Sequence, residues 1–153
     1  MKIALVIHSN SGNTLSVAEK IKLKLLAQGH EAVIEKVSAS NNQEIELNKV
    51  ELTNNPDLQG YDACVFGAPV HAFSLSGVMR FYLGQIKDFE AKPVFCFVTQ
   101  HFPFRCLGGN HALRQFEKAL NNKNALIKGT SVVNWSSKKR VDLIDKTVEL
   151  ISF

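Results

Sequence analysis

Three stretches of the chain are apolar without interruption: Ile3 to Ile7, Ala63 to Phe66, and Val94 to Val98. Runs of strand length that are rich in Val, Ile and Phe, with no polar face, mark strands covered on both sides, so these predict central parallel strands. Between them the period changes. Thr14, Ala18, Ile21 and Leu25 recur at helical spacing, as do Leu75, Met79, Tyr82 and Ile86; Gly29 is expected to close the first helix and Ser74 or Ser76 to open the second. Glu31 to Val37 sets Ala32 and Ile34 against charged neighbours and predicts a strand at the sheet edge. Residues 38 to 60 are polar and turn-rich, with Asn54-Asn55-Pro56-Asp57, and predict a long connection holding at most one weak helix. A third helix is expected from Asn110 to Leu120 through Leu113 and Phe116. A last strand, Ser131 to Trp135, then precedes a helix carrying Val141, Ile144, Val148 and Ile151. This alternation of strands and helices predicts a single α/β domain over residues 1–153: a doubly wound, five-stranded parallel sheet with helices on both faces.

In such sheets ligands bind outside the carboxyl ends of the strands, where the strand order reverses. The rule selects three loops: Ser9 to Thr14, Ala68 to Ser76, and Thr99 to Gly109. The first follows His8 and reads Ser9-Asn10-Ser11-Gly12-Asn13-Thr14, more hydroxyl and amide side chains than a helix cap needs. The unpaired amides of a helix's first turn attract anions, and hydroxyl donors with one glycine for close backbone approach suit a phosphate. An over-supplied cap, with Thr14 or Asn13 capping and the rest solvated, is the structural alternative. A GxGxxG fingerprint and a GxxxxGK phosphate loop are both excluded, because this loop has one glycine and no lysine. The second loop opens with Gly67-Ala68-Pro69, where a missing side chain would let a flat ligand pass, and offers the rings of His71 and Phe73. The third is long for a strand-to-helix link and holds Phe102, Pro103, Phe104, Arg105 and Gly108-Gly109. Simple packing or loop flexibility would also account for both.

Composition narrows the classes. With 45% hydrophobic and 21% charged residues the chain falls in the globular range, which excludes a fibrous or disordered protein. No apolar run approaches the roughly 20 residues that span a bilayer, and Met1-Lys2 leads straight into a strand without the features of a secretory leader; a cytoplasmic protein with no membrane partner is expected. Three widely spaced cysteines imply no disulfide framework, and Cys106 is expected to be structural. The net charge of +4 is spread along the chain without an aromatic-plus-basic motif, so no nucleic-acid partner is expected. His8, His71, His101 and His111 fall near the ligand edge and raise a metal site as a rival, although their spacing is irregular. A phosphorylation-receiver domain needs acidic residues where this chain has His8-Ser9 and Gly67-Ala68.

Taken together, "SNSGNTLSVAEKI", "YDACVFGAPVHAFSLSGVMRFYL" and the loop after the fourth strand resemble the flavodoxin family over nearly the whole chain. The resemblance implies strand order 2-1-3-4-5 and flavin mononucleotide (FMN) as cofactor. It implies that Ser9, Asn10, Ser11, Gly12, Asn13 and Thr14 hold the phosphate. The ring would then lie between Pro69, Val70, His71, Ala72 and Phe73 on one side and Thr99, Gln100, His101, Arg105, Gly108 and Gly109 on the other. Carriers of the family are typically acidic and sandwich the flavin between Trp or Tyr, whereas this chain is basic and its one tryptophan, Trp135, belongs to the last strand. It is therefore more similar to the flavodoxin-like reductases, and its expected partners are a redox protein, or NAD(P)H and a small acceptor. His71, His101 and Arg105 are expected as cations that raise the flavin's potential, and Lys138-Lys139-Arg140 is a candidate for a dinucleotide's phosphates, or a solvated basic turn. The alternative functions are a flavin-free binding module and a metal-binding protein on the same fold.

Overall fold

Unbroken apolar runs need cover on both faces, and in the computed structural model, which describes residues 1–102, 104 and 107–153, they receive it. The chain begins with β1 (Lys2–Ile7), α1 (Asn13–Ala27) and β2 (Glu31–Lys36). A short β3 (Ser38–Ala39), one 3₁₀ turn (Leu47–Lys49) and β4 (Leu52–Asn54) follow. Next come β5 (Ala63–His71), β6 (Ser74–Leu75) and α2 (Gly77–Gln85). The chain ends with β7 (Pro93–Gln100), α3 (Gly109–Asn121), β8 (Leu126–Asn134) and α4 (Arg140–Leu150). The main sheet runs β2-β1-β5-β7-β8 with every neighbouring pair parallel. Counting these five alone, the order is 2-1-3-4-5, as expected.

Successive residues of each central strand feed opposite cores. Ile3, Leu5 and Ile7 pack with Ala63, Val65, Phe95 and Phe97 against Val17, Ile21 and Leu25 of α1 and Ile144 of α4. Ala4, Val6, Cys64, Phe66, Val94 and Cys96 face the other way, onto Met79, Tyr82 and Leu83 of α2 and Phe116 and Leu120 of α3. The helix ends are held by specific donors. Ser76 caps α2 by accepting from the Met79 amide, while Gly29, with φ +85°, follows the end of α1 and donates its amide to the Leu26 carbonyl. The Lys24 ammonium donates to the carbonyls of Val148 (2.7 Å), Glu149 (2.9 Å) and Ile151 (2.6 Å), satisfying the end of α4.

Three expectations are corrected. Residues 38 to 60 are more than a connection: β3 and β4 pair antiparallel there, and one 3₁₀ turn, the single weak helix allowed for, stands between them. The last strand starts at Leu126, five residues earlier than Ser131, because its first half lies on the sheet edge where Lys128 and Gly129 break the apolar pattern. Val141 is exposed; the buried positions of α4 are Ile144 and Thr147, whose hydroxyl lies 2.7 Å from the Ser131 hydroxyl. No helix among the described residues is long and apolar enough to cross a membrane.

Candidate functional site

Ser9 organises the first loop. Its Oγ accepts from the amides of Gly12 (3.2 Å) and Leu15 (3.3 Å), bending the chain so that Gly12, at φ +94°, becomes the N-cap of α1 without a side-chain cap. Neither Asn13 nor Thr14 caps the helix, contrary to the structural alternative. Thr14 is buried and its hydroxyl oxygen lies 2.8 Å from that of Thr99 at the end of β7. Among the described residues, the amides of Asn10, Ser11, Asn13 and Thr14 have no partner within the protein. Several unpaired amide donors thus gather at the positive end of a 15-residue helix, where negative charge is favoured.

A cleft of about 440 Å³ opens beside this loop, within the range of small-ligand sites. Asn10, Ser11 and Asn13 form one wall, Pro69, Val70, His71 and Ala72 a second, and Thr99, Gln100 and His101 a third. Gln43 and Ile45 supply a fourth, which no sequence pattern announced. They are held there because α2 starts with Gly77, where a Cβ would stand 2.2 Å from the Glu44 carbonyl oxygen, and because the Arg80 guanidinium donates to the Ile45 carbonyl at 3.0 Å. A larger cleft of about 600 Å³ lies among residues preceding β5 and β7, such as Asp57 and Asp88, at the opposite end of the sheet from these loops, and we give it no role.

No protein-family model matches the sequence, and no curated protein does. Solved structures are similar over nearly the full length of both chains. They include the Trp repressor binding protein from Bacillus subtilis (18% identity, TM-score 0.72, covering 98% of this chain and 100% of that one). Oxidised flavodoxin 2 from Bacillus cereus superposes with TM-score 0.68 at 22% identity, over 98% of this chain and 97% of that one. A flavoprotein in complex with FMN from Lactobacillus acidophilus NCFM gives TM-score 0.63 at 18% identity, over 93% and 97%. This is a flavodoxin-like fold.

Within the flavodoxin-like fold the remaining candidate residues separate by position. Ser9 and Gly12 face a smaller cleft of about 220 Å³ on the other side of the loop, with Lys36 and Ser38. Phe73 stands outside the main cleft and stacks on Phe102, with ring centroids 5.1 Å apart and planes 19° from parallel. An intercalated ring would need about 7 Å there, twice an aromatic contact distance, so in this arrangement no third ring fits between them. Gly108 and Gly109 do not line the cleft; a Cβ on Gly108 would meet Val70 Cγ1 at 2.7 Å and Phe73 Cα at 2.9 Å, so this glycine lets the second and third loops touch. Gly67 likewise serves packing and not a passing ligand, since a Cβ would stand 2.3 Å from the Phe97 ring. Arg105 and Cys106 lie outside the described residues.

Electrostatics correct a further expectation. His8 is fully buried, and burial, aided by the neighbouring His71, pushes its pKa down to about 4; burial also lowers His71. Neither is a cation at neutral pH. His101 lines the cleft while His111 is exposed on α3, and among the described residues no group of three or more His, Cys, Asp or Glu could hold a metal. Gln100 pins the third loop: its Nε2 lies 2.8 Å from the Phe102 carbonyl, 2.7 Å from that of Phe104 and 2.6 Å from Asn134 Oδ1. The basic turn is adjacent. Ser136 donates to the His101 carbonyl, Lys138 and Lys139 are exposed, and Arg140 stacks on Trp135, its guanidinium carbon 4.9 Å from the ring centroid.

Proposed function

We propose that the chain binds FMN as a single cytoplasmic domain and passes electrons through it between a donor and a redox partner. The observation that carries this is the set of unpartnered amides at Ser11, Asn13 and Thr14, opening beside a cleft walled by three strand ends. Those amides and the side chains of Asn10 and Ser11 would hold the phosphate with neutral donors alone. Pro69 to Ala72 and Thr99 to His101 would flank the ring on the cleft side of the Phe73–Phe102 stack, and Gln43 and Ile45 would shield it from water. Once bound, the flavin supplies the capacity to take and release electrons, and the protein tunes it through nearby hydrogen bonds and charge. His71 enters that environment as a neutral hydrogen-bonding group, because burial lowers its pKa. The cytoplasmic setting is inferred from Cys64 and Cys96, which are buried as free thiols.

A second reading, that NAD(P)H is the donor, is favoured by Lys138 and Lys139, exposed on the turn whose Ser136 bonds the cleft residue His101. Titration of the purified protein with FMN tests the first reading: quenching of flavin fluorescence to a one-to-one end point is expected, and an unperturbed flavin at saturation contradicts it. Anaerobic addition of NADH or NADPH to the loaded protein tests the second. Bleaching that weakens in the Lys138→Ala, Lys139→Ala double variant supports it, and no bleaching rejects it.

A further inference from the structure

Two buried ring nitrogens without hydrogen-bond partners, one on the cleft residue His71 and one on His8 packed against it, play no part in the proposed cofactor site. His8, the residue after β1, has Nδ1 2.8 Å from the Ser76 hydroxyl, while its Nε2 is buried without a hydrogen bond. His71, at the end of β5, lines the cleft, and its Nδ1 is likewise buried without a partner. The two rings meet edge to face with centroids 6.0 Å apart.

Direction can be assigned to this cluster because it begins at a group that can only donate. The Met79 amide donates to Ser76 Oγ at 3.3 Å. Ser76 is fully buried and, among the described residues, its hydroxyl has no acceptor but His8 Nδ1, so the hydroxyl is satisfied as a donor only when Nδ1 accepts. A neutral His8 therefore carries its proton on Nε2, and burial keeps it neutral. If His71 carried its proton on Nδ1, two buried N–H groups without acceptors would sit on adjoining rings. With Nδ1 unprotonated, a donor stands beside an acceptor, and His71 Nε2, the ring nitrogen a ligand can reach, bears hydrogen.

We propose that His8 is a positioning residue: the one-way chain from the Met79 amide through Ser76 fixes its Nε2–H form, which holds His71 as a neutral Nε2–H donor toward the cleft and selects ligands presenting a hydrogen-bond acceptor at that edge. A carbonyl oxygen or an unprotonated ring nitrogen meets this requirement; an N–H edge does not.

Proton–nitrogen correlation spectra of isotope-labelled histidines, recorded at neutral pH without any ligand, test the assignment directly. The wild-type protein is expected to show His8 and His71 each as the pure Nε2–H form. Ser76→Ala should convert both to mixtures, whereas Ser76→Thr, which keeps the hydroxyl and the cap, should restore the pure forms. A merely structural Ser76 would change stability and leave the tautomers alone. An Nδ1–H form of His71 in the wild type, or spectra unmoved by Ser76→Ala, would overturn the proposal. Because no flavin is present, this outcome is independent of the FMN reading. With FMN as probe, His71→Phe should bind about three- to tenfold more weakly, as for one neutral hydrogen bond, while His71→Gln, which keeps a donor, should stay close to wild type.

Discussion

Thr14, in the first turn of α1, and Thr99, near the end of β7, are 85 residues apart in sequence, yet their hydroxyl oxygens lie 2.8 Å apart in a buried contact. The contact ties the start of α1 to the third wall of the cleft. Replacing one partner leaves the other hydroxyl buried and unpaired, which costs about 1–3 kcal/mol. Thr14→Val and Thr99→Val should each lower stability by about that amount in urea unfolding. The double variant should lose less than the sum, because no orphan remains. Additive losses would show that the two hydroxyls do not pair.

Gln100 holds the third loop by its side-chain amide, whose nitrogen faces the carbonyls of Phe102 and Phe104. Gln100→Glu places a carboxylate, which only accepts, against two carbonyl acceptors. Amide exchange at Leu107, whose N–H donates to the Phe104 carbonyl, should accelerate about two- to tenfold in this variant, the equivalent of one lost neutral bond. Unchanged exchange would mean that the loop is held by other contacts.

Ala72 and Phe73 connect β5 to β6 with φ of +50° and +61°, a two-residue turn that favours Asn and Gly at these positions. A residue with a Cβ held in this region costs roughly 1–2 kcal/mol. Ala72→Gly should therefore raise stability by about 1 kcal/mol, offset in part by the greater freedom of glycine in the unfolded chain. A melting temperature below that of the wild type would contradict the strain.

The buried histidines predict an acid limb of stability. The folded pKa of His8 is lowered to about 4 from the 6.5 of an unfolded chain, and His71 is lowered in the same direction. Between these values the unfolded chain binds more protons, so stability is full above pH 6.5 and falls as the pH drops toward about 4. The loss from His8 is on the order of 3 kcal/mol. His8→Phe should flatten this limb, measured as urea midpoints across the range, whereas an equally steep limb in the variant would assign it to other groups.

What the sequence made legible was whatever depends on local pattern. The central runs around Leu5, Val65 and Cys96 are unmistakably two-sided, and Ser76 announces its cap three residues before the Met79 amide it receives. The polar excess at Ser9 to Thr14 stands at the start of α1, where the Asn13 and Thr14 amides lack partners. What escaped depends on contacts between distant segments. Gln43 and Ile45 become a cleft wall only because Gly77 and Arg80 draw their segment onto α2. Gly67 looked like room for a ligand and is room for the Phe97 ring. His71 looked like a cation and is neutral, since burial arises from the fold and not from its neighbours in sequence. The reach of β5 through Pro69 to His71 was hidden by a glycine and a proline that normally break a strand.

The central claim is that unpartnered amides at the start of α1 grip a phosphate ester. Calorimetric titration with FMN and with riboflavin, which differ only in that ester, tests it most directly. Two or three charge-assisted hydrogen bonds should make FMN bind at least about a hundredfold more tightly than riboflavin. Equal affinities for the two, or no heat from either, would contradict the account.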